Sequence, residues 1–281
     1  MNQAIGDLIQ RALTEDLSTR GDVTSLACFD GTESSKAGMI AKESMVVAGI
    51  EVAGAIFQFI NPDLDVEVIC SDGQKVEKGT VLLTVEGDTR SILSAERTVL
   101  NMVQRMSGIA TKTNHMVALV EGTGVKILDT RKTTPTLRYF EKWAVKIGGG
   151  ENHRFGLYDM VMIKDNHSDF CGGAQFALQK VKDYLSRNGL DLHIVVEARS
   201  VEEVSRILDE GGADRILLDN FTLESLAEAV RFIDGRITTE ASGGITEENI
   251  RAYALSGVDY ISSGALTHSV KSMDISLKAI I

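Results

Sequence analysis

Proline is nearly missing from this chain of 281 residues, occurring only at Pro62 and Pro135. Long regular elements can therefore run without rings that lack an N–H, and a proline-rich disordered or collagen-like chain is excluded. Cysteine is almost as scarce. Cys28, Cys70 and Cys171 are odd in number and lack C-x-x-C spacing, which argues against a disulfide framework and a thiolate zinc site. Each is expected to be a small buried or partly buried hydrophobe. Basic charge is in deficit, with 29 Lys and Arg against 40 Asp and Glu, a net charge of −11. A global basic field for nucleic acid is thereby disfavoured. No apolar run approaches the roughly 20 residues that cross a bilayer. The opening MNQAIGDLIQRALTED is amphipathic and acidic rather than a secretory signal, so a cytoplasmic protein with no membrane partner is expected. What is present in quantity is hydrophobic residue, 43% of the chain, enough for a sizeable core in one large or two modest domains.

Ile5, Leu8, Ile9, Ala12 and Leu13 recur at helical spacing and predict one core-facing amphipathic helix. Residues 37–88 read as short strands and turns around one helix, IEVAGAIFQFI, which is an α+β domain. Within it GQKVEKGTVLLTVEG resembles half of a biotinyl or lipoyl carrier hairpin. A carrier needs an exposed lysine at a hairpin tip, and Lys75 and Lys78 lack a Met-Lys-Met-like context, so an ordinary β-hairpin is the reading kept. Residues 91–118 predict a long helix interrupted at Ser107-Gly108, where the domain junction is placed.

Beyond Gly124 the punctuation changes to strand, loop, helix. VKILD, VMIK, HIVVE, RILLD, ITTEA and DYISS are β-rich, and helical patterns such as SVEEVSRILDEGG follow. The last four strands begin at His193, Arg215, Ile237 and Asp259, each 22 residues after the one before. Equivalent β-loop-α units with right-handed crossovers form a parallel sheet curling toward a barrel. An open doubly wound sheet would show a Gly-rich turn after its first strand, and VKILDTRKT has none.

Active sites of βα barrels lie at the carboxyl ends of the strands. Here those ends carry Asp129, Lys164, Glu197, Asp219, Glu240 and Ser263. ASGGIT and SSGALTHS, after the last two strands, place Gly and Ser where helix N-termini would offer unpaired N–H groups to a phosphate. Between Val125 and His167 eight basic residues face five acidic ones, a net +3 inside an acidic chain. That excess points to an anionic ligand. Lys142 and Lys146, at i and i+4, are expected on a solvated helix face. Arg131, Lys132, Arg154 and Lys164 instead flank strand ends and a GGG turn, where side chains converge.

The block DTRKTTPTLR, followed by KWAVKIGGGENHRFGLYDMVMIKDNH, strongly resembles the quinolinate phosphoribosyltransferases, the decarboxylating nicotinate-nucleotide pyrophosphorylases. The likeness runs nearly end to end, through EDLSTRGDVTS, SAERTVLNMVQRMSGIAT, LLDNF, EASGGI and ISSGALTHS. It implies an N-terminal α+β sandwich domain, residues 1–108, and an incomplete, about seven-stranded α/β barrel, residues 109–268, with the tail 269–281 packing back on the first. It also implies a homodimer with shared active sites. The implied reaction is Mg²⁺-dependent transfer of phosphoribosyl from PRPP to quinolinate with loss of CO₂, giving nicotinate mononucleotide and pyrophosphate in NAD biosynthesis.

By that resemblance Arg131, His153, Arg154 and Lys164 hold quinolinate, with Arg97 of the partner subunit reaching in. Two adjacent carboxylates suit planar guanidinium forks. Lys132, Glu197 and Asp219 are the catalytic candidates, Lys132 and Lys164 facing phosphates and substrate. Glu197 and Asp219 approach the ribose and Mg²⁺, partly through water. Ser242, Gly243, Gly244, Ser263 and Gly264 cradle the 5′-phosphate. Two positions depart from the family's usual pattern: Val195 stands where a first glutamate is common, and Ser263 where an apolar residue is frequent. A molybdenum-utilisation-type barrel transferase of unknown substrate and a non-catalytic phosphate-binding barrel are the rival readings.

Overall fold

A computed structural model describes residues 3–280 and divides the chain into two compact units. The first comprises residues 1–114, 134–149 and 269–281, the second residues 115–133 and 150–268.

In the first unit the chain runs through α1 (Gln3–Leu17), α2 (Val23–Cys28), β1 (Ser34–Ala41), β2 (Met45–Val46), α3 (Ile50–Ile60), β3 (Asp65–Val68), β4 (Lys75–Val76), β5 (Val81–Asp88) and into α4 (Thr89–Leu119). The predicted stripe on α1 is present, with Ile5, Ile9 and Leu13 buried. Met39 of β1, Leu82, Leu83 and Val85 of β5, Ile56 and Phe57 of α3, and Val103 and Met106 of α4 are sealed from solvent. Each such side chain stabilises the fold by roughly 1.5–3 kcal/mol relative to exposure.

Two readings change here. GQKVEKGTVLLTVEG is not a self-paired hairpin: β4 pairs antiparallel with β2, while β5 lies between β1 and β3. The turn between β4 and β5 is instead anchored on β1, through Gly79 N–H to Ala41 O and Ala41 N–H to Thr80 O. Nor is α4 interrupted at Ser107-Gly108. It is continuous for 31 residues, and a Cβ at Gly108 would collide with the Lys271 carbonyl. That glycine permits close backbone packing, and the Ser107 hydroxyl bonds the Ala48 backbone.

The second unit contains β6 (Lys126–Leu128), which precedes α5 (Arg138–Ile147), a helix of the first unit. It continues with β7 (Val161–Ile163), α6 (Asp165–Cys171), α7 (Ala174–Asn188), β8 (Ile194–Ala198), α8 (Val201–Glu210), β9 (Arg215–Asp219), α9 (Leu223–Ile233), β10 (Thr238–Ser242), α10 (Ile250–Ala254), β11 (Tyr260–Ser262) and α11 (Ala265–His268). The tail forms β12 (Ile275–Ala279), antiparallel to β1 in the first unit. The last four barrel strands begin within one residue of the positions that the 22-residue period predicts.

All six barrel strands are parallel, in the order β6-β11-β10-β9-β8-β7. The first strand thus pairs with the last, as in a closing barrel, and the seam stays open between β6 and β7. A single parallel bridge from Leu128 to Glu151 adds a seventh crossing on the β6 side. Strands buried on both faces read as continuous apolar runs; all five residues of β8 are buried.

Lys142 is not on a solvated face. It is 2% exposed, because Phe140, Glu141, Ala144 and Val145 are also buried and cover most of α5, leaving Lys146 as the exposed member of the pair. Cys70 is buried and Cys171 half-buried as expected, but Cys28, at the end of α2, is exposed. Among the described residues no helix is long and apolar enough to cross a membrane.

Candidate active site

The carboxyl ends of the barrel strands open into a cavity of about 770 Å³ within the second unit. Arg131, Lys132, His153, Arg154, Lys164, Glu197, Asp219, Ser242, Gly243, Gly244, Ser263 and Gly264 all line it. Arg97 does not. It is exposed on α4 in the first unit, with no hydrogen bond or ion pair among the described residues.

The cationic wall comes from the loops after β6 and before β7. Arg154 is buried, with Nη1 donating to Met160 O at 3.4 Å. Burial, and then the neighbouring Arg131, weaken its hold on its proton, with Asp159 opposing. Arg131 Nε is buried without a hydrogen-bond acceptor among the described residues. Two guanidinium groups crowded together, one with an unsatisfied donor, form a receptor for an anion rather than a self-satisfied structural cluster. His153 is buried on the same wall. Its backbone N–H donates to Asp129 Oδ1 at 2.8 Å, and its ring Nδ1 accepts from Arg154 N–H at 2.7 Å.

The opposite wall is acidic. Glu197, at the end of β8, is 5% exposed and meets Lys164 Nζ at 3.2 Å and Asp165 N–H at 3.3 Å. Asp219, at the end of β9, accepts from Asn220 Nδ2 at 2.6 Å. Burial, reinforced by Glu197, pushes the Asp219 carboxyl above the ordinary aspartate range, against Lys164 and Asn220. Two carboxylates on adjacent strands are the donors a hard divalent cation would take here. No group of three or more His, Cys, Asp or Glu among the described residues could hold a metal.

Two loops complete the mouth, and their geometry differs from helix N-termini. α10 begins at Ile250, six residues beyond Gly244, so its dipole is not what EASGGI offers. Gly243 and Gly244 instead take consecutive left-handed conformations, φ 90° and 63°, with N–H groups that find no acceptor among the described residues. Such turns concentrate backbone donors on an anion. Ser263 N–H is committed to Leu128 O at 3.0 Å, leaving its hydroxyl and the start of α11 for a ligand. At Gly264 a Cβ would come within 2.7 Å of Lys132 Cδ, so this glycine seats the lysine.

Reading the strand ends overlooked Asn220 and left Glu240 without a role. Asn220 has φ 56°, a left-handed conformation that asparagine tolerates better than most residues. Its side chain packs directly against Gly243. A Cβ at Gly243 would lie 2.6 Å from Asn220 Cγ and 2.9 Å from Asn220 N, whereas one at Gly244 meets nothing within 4 Å. Gly243→Ala is therefore expected to cost about 2–4 kcal/mol of stability and to displace Asp219 through Asn220, while Gly244→Ala costs only about 1 kcal/mol of backbone strain. Thermal melts of both variants check this; equal losses would contradict it.

The fold and this mouth define a βα-barrel protein built to receive an anionic ligand where its strands end. The description "Quinolinate phosphoribosyl transferase, C-terminal domain" matches residues 109–278, and the corresponding N-terminal domain matches residues 22–107. The chain is 48% identical over 285 residues to quinolinate phosphoribosyltransferase [decarboxylating] 1 of Nicotiana glauca, covering 96% of this chain and 81% of that one. It is 42% identical over 270 residues to the probable nicotinate-nucleotide pyrophosphorylase [carboxylating] of Bacillus subtilis, with 96% and 91% covered. Among solved structures, NadC from Streptococcus pyogenes superposes with a TM-score of 0.93 at 37% identity, covering 100% of this chain and 99% of that one. The chain belongs to the quinolinate phosphoribosyltransferase family.

Proposed function

We propose that the protein transfers a phosphoribosyl group from PRPP to the ring nitrogen of quinolinate, with decarboxylation to nicotinate mononucleotide, CO₂ and pyrophosphate. The observation that carries this reading is the pairing of buried Arg154 with half-buried Arg131, whose buried Nε lacks an acceptor among the described residues, inside an acidic chain. A planar dicarboxylate matches two guanidinium forks. The names of the Nicotiana and Bacillus relatives support the same substrate and product.

In this reading Arg131 and Arg154 orient the two carboxylates. Lys164, already paired to Glu197, faces the ring, and Lys132, seated over Gly264, faces the pyrophosphate. Gly243 and Gly244 N–H groups with the Ser242 and Ser263 hydroxyls take the 5′-phosphate. Glu197 and Asp219 stand where a ribose oxocarbenium would develop positive charge, and carboxylates aimed there stabilise it. Mg²⁺, when bound with PRPP at Glu197 and Asp219, would neutralise the departing pyrophosphate. After nitrogen alkylation the C–CO₂ bond breaks with its electron pair left on the adjacent ring carbon, where the pyridinium stabilises it; that carbon then takes one proton from water, so no protein base is required. Incubation with quinolinate, PRPP and Mg²⁺ should release nicotinate mononucleotide, CO₂ and pyrophosphate in equal amounts. No quinolinate-dependent product would overturn the reading and favour the molybdenum-utilisation-type alternative.

Asp219→Asn should raise KM for PRPP far more than KM for quinolinate. Because burial and Glu197 raise the Asp219 carboxyl, it takes up its proton at a higher pH than an exposed aspartate. PRPP use in the parent should thus weaken earlier on acidification, and that acid limb should shift in the variant. A quinolinate-specific loss in pH-resolved kinetics would reverse the roles assigned. The reading includes a homodimer in which Arg97 of the partner subunit completes each site, and a cytoplasmic location, with which three free cysteines agree.

A further inference from the structure

Lys132 is exposed in the cavity mouth, and a lysine carries its charge on a flexible four-carbon stem. Its ammonium is placed by what holds its backbone and by what its stem lies against, and one short segment after β11 supplies a contact of each kind. The stem passes over Gly264, where a Cβ would come within 2.7 Å of Lys132 Cδ. The Lys132 carbonyl accepts the Thr267 hydroxyl at 2.8 Å, a bond between residues 135 apart in sequence. Thr267 is completely buried. Its own turn does not need that hydroxyl: the Gly264 carbonyl, 3.3 Å from Thr267 Oγ1, already accepts the backbone N–H groups of Thr267 and His268 at 3.1 and 3.0 Å. A threonine hydroxyl has one proton to give, and the Lys132 carbonyl is the nearer acceptor.

This contact extends a pairing that the barrel already makes. β11 runs parallel to β6, the Ser263 N–H donates to Leu128 O at 3.0 Å, and four residues further along both segments Thr267 meets Lys132. The first rung fixes the residue whose hydroxyl is assigned to the 5′-phosphate. The second fixes the residue whose ammonium is assigned to the pyrophosphate. We infer that Thr267 is a positioning residue that holds Lys132 at a set span from the 5′-phosphate loops, so that the site selects a ribose bearing both a 5′-phosphate and a 1-pyrophosphate over one bearing the 5′-phosphate alone. The inference rests on the proposed PRPP reading and deepens it. Thr267 does not line the cavity, so it acts through Lys132 rather than on the ligand. SSGALTHS shows this threonine plainly in the sequence, but its partner in DTRKT is found only when the first and last barrel strands pair.

Calorimetric titrations with PRPP and with ribose 5-phosphate, each with Mg²⁺ and without quinolinate, test this. The parent should bind PRPP roughly tenfold or more tightly than ribose 5-phosphate, as charge-assisted bonds to the extra phosphates would produce. Thr267→Val keeps the shape and removes the hydroxyl. It should lose most of that preference while binding ribose 5-phosphate as the parent does, and kcat/KM for PRPP should fall roughly ten- to a hundredfold with KM for quinolinate unchanged. Thr267→Ser, which keeps the hydroxyl, should stay close to the parent. Where the valine variant does not fold, Thr267→Ala against Thr267→Ser gives the same comparison. Added to Lys132→Met, Thr267→Val should cost no further PRPP affinity, because it acts through that ammonium. A preference for PRPP that survives loss of the hydroxyl, an equal loss for ribose 5-phosphate, or a further loss in the double variant would overturn the inference, as would a parent with no such preference. A parent that binds PRPP but yields no product from quinolinate would instead defeat the proposed reaction and leave the role of Thr267 to be decided by the titrations.

Discussion

Arg154→Ala and Arg131→Ala are each expected to lower kcat/KM for quinolinate by about 2–4 kcal/mol, roughly thirty- to a thousandfold, because removing one fork leaves a carboxylate unpaired in a buried site. Stability should move little or in the opposite direction. In the free protein burial, and then Arg131, disfavour the charge of Arg154, and Arg131 Nε is buried without an acceptor among the described residues. Either truncation relieves that crowding. A variant that loses activity and keeps or gains melting temperature is the signature of a site whose charge is arranged for a ligand rather than for the fold. Arg→Lys at either position should recover little, since an ammonium cannot form two parallel bonds to one carboxylate. Steady-state kinetics with quinolinate as the varied substrate, alongside thermal melts, checks both halves. An unchanged kcat/KM in both folded variants would remove these residues from the site.

The barrel was legible because its signal is periodic. Strands at a 22-residue spacing, each read as closed by a polar residue, need no long-range information to place Glu197 and Asp219 on one rim. Interactions between distant segments were not legible. Gly108 reads as a helix breaker until the Lys271 carbonyl packs against it, and Lys142 reads as solvated until the rest of α5 is covered. Both errors come from letting local propensity decide what tertiary packing overrides. Glu240 shows the same limit at the site. ITTE reads as a strand end, but Glu240 lies in the middle of β10. Arg215, 2.9 Å from its Oε2, is 25 residues earlier, and His153, 3.3 Å from the same oxygen, is 87 residues earlier. The three meet only because β9 and β10 pair in register and Asp129 holds the His153 backbone. Asn220 escaped notice because its role depends on a positive φ and on the absent side chain of Gly243, neither of which has a pattern along the chain.

Mixing two inactive proteins should restore activity if the proposed dimer shares its sites. Arg97 is exposed on α4 in the first unit and is absent from the residues lining the cavity of the second. A surface arginine serving only its own helix would pair with a neighbour such as Glu96 or Asn101, worth under about 1 kcal/mol and of no catalytic consequence. No such pairing is present among the described residues, so the side chain remains available to a carboxylate elsewhere. In the proposed dimer that carboxylate is quinolinate in the other subunit's barrel. Arg97→Ala alone and Arg131→Ala alone should each be nearly inactive, the second from within its own barrel and the first through the site it no longer completes. When the two are mixed and allowed to exchange, each mixed dimer holds one site carrying both lesions and one carrying neither. Activity should then return toward half that of the parent per mixed dimer. If each site were built within one chain, every site in the mixture would keep one lesion, and heterodimers verified by differential tagging would stay inactive.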